Sequence, residues 1–75
     1  MVKAKDALNY NPNRENFLAY KHERERLLVS YRDQYAAYHQ GRRIAIGRDR
    51  TAVYDEARAQ IGLGLIMVQQ IIPEN

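Results

Sequence analysis

From about Asn13 to Arg32 the apolar residues recur at helical spacing. Phe17, Tyr20, Leu27, Leu28 and Tyr31 fall within a sector of roughly 100°, the width of a core-facing stripe. Arg24 falls inside the same sector, while Leu18 and Val29 lie on a different side of the helix. A lone small domain has little use for two apolar faces. The second side is therefore either a scatter of ordinary surface hydrophobes or a surface that meets a partner. Two starts fit this helix, Asn11 followed by Pro12 and Asn13 followed by Glu15, since both put a capping side chain ahead of a good first turn. Residues 1–12 read as a polar lead-in with Asn9, Asn11 and Pro12 as a breaker cluster. A single small domain is expected over 13–75.

After Arg32 the period changes. "YAAYH" (35–39) and "RRIAIG" (42–47) flank Gln40-Gly41, a two-residue connection that favours a tight hairpin. Gly41 accepts the positive φ that a primed turn demands, and Gln40 is a poorer choice there than Asn. With that turn His39 pairs with Arg42, Tyr38 with Arg43, Ala37 with Ile44 and Tyr35 with Ile46. One face then carries Tyr35, Ala37, Ile44 and Ile46, with His39 and Arg42 at the tip. The other carries Ala36, Tyr38, Arg43, Ala45 and Gly47.

In "RDRTAVYDEARAQIG" Asp49 is placed to cap a helix over 50–61. Val53, Ala57 and Ile61 supply its buried side, and Gly62 its stop. "LIMVQQII" (65–72) reads as a strand, apolar on both faces over Leu65 to Val68 and closed by Pro73; a strand of that kind is covered on both sides. The predicted fold is α+β, in the order helix, strand, strand, helix, strand. A right-handed crossover lays the third strand parallel to the second and beside the first, giving a three-stranded sheet of order 2-1-3. The helix over 50–61 covers one face. The N-terminal helix covers the other face or packs on another chain.

Composition narrows what such a domain does. A chain of 75 residues buries only roughly 60% of its unfolded surface, so supplements such as disulfides, metal or a partner subunit are common at this size. There is no cysteine, which removes disulfides and thiolate zinc and leaves a partner as the available supplement. "MVKAKDALNY" has no apolar core of a secretory signal, and the longest apolar run, Leu63 to Val68 broken by Gly64, is too short to span a bilayer. The expected location is cytoplasmic. A net charge of +3 is mild, so the segregation of charge matters more than its total.

The residues offer little catalytic chemistry. Ser30 is the single serine and neither histidine is near it in sequence. His22 and Glu25 stand at i, i+3 with Glu23 between, but a metal site needs three or four ligands, and a solvated face with Lys21 and Glu25 loosely paired explains them. Gly62-x-Gly64 precedes a strand and lacks the helix that a phosphate loop requires. No cofactor, no metal and no small-molecule substrate is implied, and the expected protein is not an enzyme.

"HQGRRIAIGRDR" (39–50) is the best candidate for interaction chemistry. His39, Arg42, Arg43, Arg48 and Arg50 form a positive edge that can contact a polyanion, with Tyr38 as a stacking surface. The same arginines also have plainer uses. Arg43 can lie over Tyr38 as a cation–π pair, Arg50 can pair with an acidic neighbour, and charges on an edge strand suppress aggregation. Six tyrosines favour contact surfaces. Leu18, Arg24, Val29, Tyr38 and Arg43 are the candidate protein interface.

Residues 35–61 carry a pattern of an aromatic residue, Ala, Gly-basic, an aliphatic-Ala pair, Gly and Asp, here Tyr35, Ala37, Gly41, Arg42, Ile44, Ala45, Gly47 and Asp49. Tyr54-Asp55-Glu56-Ala57 follows in the helix and Ile71-Ile72-Pro73 at the end. About half the chain in this way resembles a family of small prokaryotic domains of unknown function with a hairpin-helix-strand core. The resemblance implies a fold and no mechanism. Tyr38 and Arg43 stand where that pattern has aliphatic residues, and Asp33 where Gly is common. The hairpin-helix segment is also similar, by analogy of fold, to antitoxins of the HicB type. The expected function is a small non-enzymatic protein-interaction module, an accessory subunit of a larger assembly or a homo-oligomer. The alternative is an antitoxin-like regulatory protein whose basic hairpin contacts nucleic acid.

Overall fold

The computed structural model describes residues 13–74; the expected lead-in over 1–12 lies outside the described residues. Helix α1 (Arg14–Tyr31) opens with a bond from the Phe17 amide to the Asn13 carbonyl at 2.8 Å. Its buried residues are Asn16, Tyr20 and Leu27, with Ala19 and Leu28 packed partly buried beside them. The expected stripe is thus corrected. Phe17 and Tyr31 are 44% and 38% exposed, and the inward side is turned by roughly 60°, on a 100° per residue wheel, toward Asn16 and Glu23. Two polar side chains with dedicated partners sit inside the stripe and displace two aromatics to its edge.

The chain leaves α1 through Asp33, whose φ of 68° is left-handed. A Cβ is disfavoured there, although a short polar side chain tolerates it, which accounts for glycine at the matching position of the resembled pattern. Beside it, Asp33 donates to the Ile71 carbonyl at 2.8 Å and Ile71 donates to Gln34 at 2.7 Å.

Strands β1 (Tyr35–His39) and β2 (Arg42–Gly47) form the expected hairpin. Gln40 and Gly41 have φ of 51° and 75°, the two positive values of a type I′ turn. A Cβ on Gly41 would also lie 2.8 Å from Glu15 Cγ. At the tip the register is as predicted, His39 with Arg42 and Tyr38 with Arg43. Between Ala37 and Tyr38 it shifts, and Ala37 faces Ala45, Ala36 faces Ile46 and Tyr35 faces Gly47. A bulge adds one residue to β2, and a one-residue shift sends every later side chain to the opposite face. The expected pairings of Ile44 with Ala37 and Ile46 with Tyr35 are corrected accordingly. Ile46 packs with Ala36 and Tyr38, and Ala45 packs with Ala37.

Helix α2 (Arg50–Ile61) is capped at both ends as its sequence demands. The Asp49 carboxylate accepts from the Ala52 amide at 2.8 Å, and Gly62, at φ 69°, donates to the Arg58 carbonyl. Strand β3 (Met67–Gln70) is shorter than the expected 65–72 and lies antiparallel to β1, pairing Tyr35 with Gln70 and Tyr38 with Met67. It therefore runs parallel to β2, and the sheet order is β2-β1-β3. The fold is α+β, with a helix on each side of the sheet. One core holds Tyr20, Leu27, Ala36, Tyr38 and Ile71 under α1, and the other holds Ala37, Ala45, Val53 and Ala57 under α2.

Candidate interaction surface

Glu23 is the polar centre of the α1 side. It faces the sheet because it shares the inward stripe with Tyr20 and Leu27, and its side chain is only 15% exposed. One oxygen accepts from the Tyr38 hydroxyl. The other accepts from Arg43 at 3.0 Å and from Arg26 at 3.5 Å. Burial, followed by the adjacent Glu23 carboxylate, pushes the Tyr38 hydroxyl well above the ordinary tyrosine range, against a smaller opposing pull from Arg43. Tyr38 therefore stays a donor. Tyr38 and Arg43, two of the three residues that depart from the resembled pattern, converge on this one carboxylate.

Asn16 fixes the same helix to the hairpin tip. It is 2% exposed, and its side-chain oxygen accepts from the Gly41 amide at 2.7 Å. Tyr20 fixes the helix to the chain after β3. Its hydroxyl lies 3.2 Å from the Gln70 carbonyl and 3.3 Å from that of Ile72, and accepts from the Ile72 amide. Its ring meets that of Tyr38 edge-on with centroids 6.2 Å apart. Between α1 and the hairpin tip runs an open groove of about 470 Å³. Glu15, Leu18, His22 and Arg26 form one wall, Gln40 and Gly41 the other, and Glu23, Tyr38 and Arg43 also line it.

The five residues expected at a protein interface do not form one surface. Tyr38 is fully buried in the chain's own core, a correction that follows from its bond to Glu23. Arg43 reaches Glu23 and is not stacked on the Tyr38 ring. Arg24 pairs with Glu74 and lies over the Tyr20 ring at 5.9 Å. Leu18 and Val29 remain on the outer side of α1, 47% and 85% exposed.

The basic residues divide as well. His39 bonds the Leu65 carbonyl through Nδ1 at 2.9 Å, and Arg43 is held by Glu23. Arg42, Arg48 and Arg50 are exposed, strung along the edge strand and the start of α2 with roughly 20 Å of extended chain from Arg42 to Arg48. Among the described residues Arg50 has no acidic partner, and Lys21 lies over the Phe17 ring at 5.8 Å with no ion pair to Glu25. No three His, Asp or Glu side chains come together among the described residues as a metal site requires. No helix among them is long and apolar enough to cross a membrane.

Asn16 and Glu23 are the residues that apolar periodicity missed. Their signal was positional, because 16, 20, 23 and 27 follow the 4-3-4 spacing of a buried seam. No curated protein and no solved structure matches the chain. Residues 26–72, from the last third of α1 to the segment after β3, match the model of a family of unknown function, DUF5678. The match contains the hairpin, its bulge, the capped helix and the third strand, and on that span the chain belongs to the DUF5678 family.

Proposed function

We propose that this chain is a small protein-interaction module, working as an accessory subunit of a larger assembly or as a homo-oligomer, without catalysis of its own. The observation that carries this reading is the outer side of α1. Leu18 and Val29 stand exposed there on the side opposite the stripe that holds the sheet, while the buried polar groups of the same helix are all bonded within the chain. A helix already fixed to its sheet gains nothing internally from these two side chains, and Leu18 also lines the open groove beside α1, which supports a contact surface on this side.

The second reading is an antitoxin-like regulator that touches nucleic acid. It is favoured by Arg42, Arg48 and Arg50, exposed and without ion pairs among the described residues. Capture of the tagged chain from its native cell, with and without nuclease, separates the two. Under the first reading a defined set of proteins, or untagged copies of the same chain, survives nuclease and is lost with Leu18→Asp. Under the second the captured material disappears with nuclease, and Arg42→Ala or Arg48→Ala weakens capture and flattens its salt dependence.

A further inference from the structure

The outer side of α1 has a symmetry that names its partner. Glu15, Leu18, His22, Glu25, Val29 and Arg32 follow one another at alternating spacings of three and four, the spacing of a helix–helix seam. All six are exposed. None of the four charged or titratable members makes a hydrogen bond or ion pair among the described residues. If two copies of this helix lie antiparallel about a two-fold axis, residues equidistant from the midpoint between Glu23 and Arg24 meet across it. Leu18 then meets Val29 of the second copy, His22 meets Glu25, and Glu15 meets Arg32, each contact occurring twice.

The flanking positions agree with this arrangement. Off the seam, positions on the same side of it meet with a stagger of about two residues, Ala19 with Arg26 and Lys21 with Leu28, so no like charges are opposed on either flank. Self-complementarity of this kind is what a two-fold contact requires, since one patch must fit its own copy. A heterologous partner has no need of it.

We infer that α1 packs antiparallel on α1 of a second copy, giving a symmetric homodimer in which two sheets enclose a pair of helices. This rests on the interaction-module reading and specifies its homo-oligomeric form. Leu18 and His22 also line the groove beside α1, so Val29 and Glu25 of the second copy face into its mouth. The contact runs along a helix of about 27 Å with two apolar positions per copy. It therefore belongs with the small interfaces below roughly 1,200 Å² that associate weakly.

The chain has no cysteine, which permits a direct test. Leu18→Cys and Val29→Cys variants are prepared separately, mixed at about 100 μM, well above a micromolar Kd, and oxidised. Residues 18 and 29 of one helix are about 16 Å apart and cannot bridge within a chain, because a disulfide needs Cα atoms within about 7 Å. The antiparallel seam predicts a disulfide-linked heterodimer in the mixture, formed several-fold faster than the homodimer of either variant alone. Sedimentation of the cysteine-free protein should show a dimer that Glu25→Arg weakens about tenfold or more. The double variant His22→Glu with Glu25→Arg should restore it, because a complementary pair is rebuilt with the carboxylate at 22 and the cation at 25. Equal cross-linking of Leu18→Cys with itself overturns the antiparallel register, and a monomer at every concentration overturns the dimer. A monomer whose capture of other proteins is still lost with Leu18→Asp leaves the interaction-module reading standing. A monomer whose capture ignores that substitution removes both.

Discussion

The two faces of the sheet are built by different physics. Under α2 the buried centre is small and apolar: Ala37 and Ala57 are fully buried and Val53 and Ala45 nearly so, with Tyr35, Ile44, Ile66 and Val68 half-buried around them. Small side chains bring the helix close to the strands, and the helix is set by its own ends through Asp49 and Gly62. Under α1 the helix stands on large side chains with polar tips. Tyr20, Tyr38, Glu23 and Asn16 each reach a partner distant in sequence: the chain after β3, α1 itself, the first two strands and the hairpin turn. Local capping, with one bond from Gln60 to the Ile44 carbonyl at 2.7 Å, positions one helix, and a set of long-range hydrogen bonds the other. The first arrangement is tolerant of chemistry and intolerant of volume, whereas in the second a lost atom leaves a polar group without its partner.

The largest effect is expected where that second arrangement is concentrated. Tyr38→Ala removes a fully buried ring and the donor to Glu23, and should cost about 3–5 kcal/mol. A chain of this length has roughly 4–11 kcal/mol in total, so its urea midpoint should collapse or the variant should be unfolded in buffer. A shift under about 1 kcal/mol would mean that the α1 face is not the more fragile of the two.

Tyr38→Phe isolates the hydroxyl. A hydrogen bond to a charged group contributes about 1.5–3 kcal/mol, and the pH dependence of the loss identifies its source. The hydroxyl is pushed above the ordinary range in the folded state, so its contribution is fully present below about pH 10, where both states hold the proton. Above that pH the unfolded tyrosine ionises first, and the native chain loses up to about 1.4 kcal/mol per pH unit relative to the phenylalanine variant. The stability gap between the two proteins should be flat up to about pH 10 and narrow beyond it. A gap that stays flat through pH 11 would show that Tyr38 ionises as freely in the fold as outside it.

On the opposite face the sensitive quantity is volume. Ala57→Leu adds side chain where the helix sits close on Ala37 and Ala45, and overpacking of this kind costs about 1–3 kcal/mol. Measured by urea denaturation, a neutral result would mean that α2 can lift from the sheet without loss. The two faces would then differ less than their packing indicates.

The same contrast decides what could be read in the chain. Asp49, Val53, Ala57 and Gly62 state the limits and buried side of α2 within thirteen or so neighbouring positions, and Gln40-Gly41 states the turn. Each is a local signal, and the fold class and strand order followed from them. The bulge at Ile44 is invisible locally, because what it accommodates, Ala45 in the core under α2 and Ile46 in the core under α1, is set by helices on opposite sides of the sheet. Glu23 and Asn16 were hidden for a related reason. A rule that sends charged and amide side chains outward fails when their partners, Tyr38 and the Gly41 amide, lie 15 and 25 residues away. Once Glu23 is placed on the inner face, the burial of Tyr38 and the exposure of Phe17 follow.

The smallest of these effects should come from the most legible residue. Asp49→Ala removes one acceptor for the Ala52 amide at the exposed start of α2, where water can replace it. Loss of an N-cap acid costs typically about 1 kcal/mol. The effect should stay local: the midpoint of urea unfolding falls slightly, its slope is unchanged, and amide exchange quickens in the first turn of α2 but not in β1 or β3. Asn16→Ala provides the matched comparison, since it also removes one side-chain acceptor from one backbone amide, but a buried one between α1 and the turn. Its loss should exceed that of Asp49→Ala and should quicken exchange at Gly41 and along the first turns of α1 together. If the two variants are equally mild and equally local, the α1 face is held by its apolar contacts alone, and its polar ties position the helix without stabilising it.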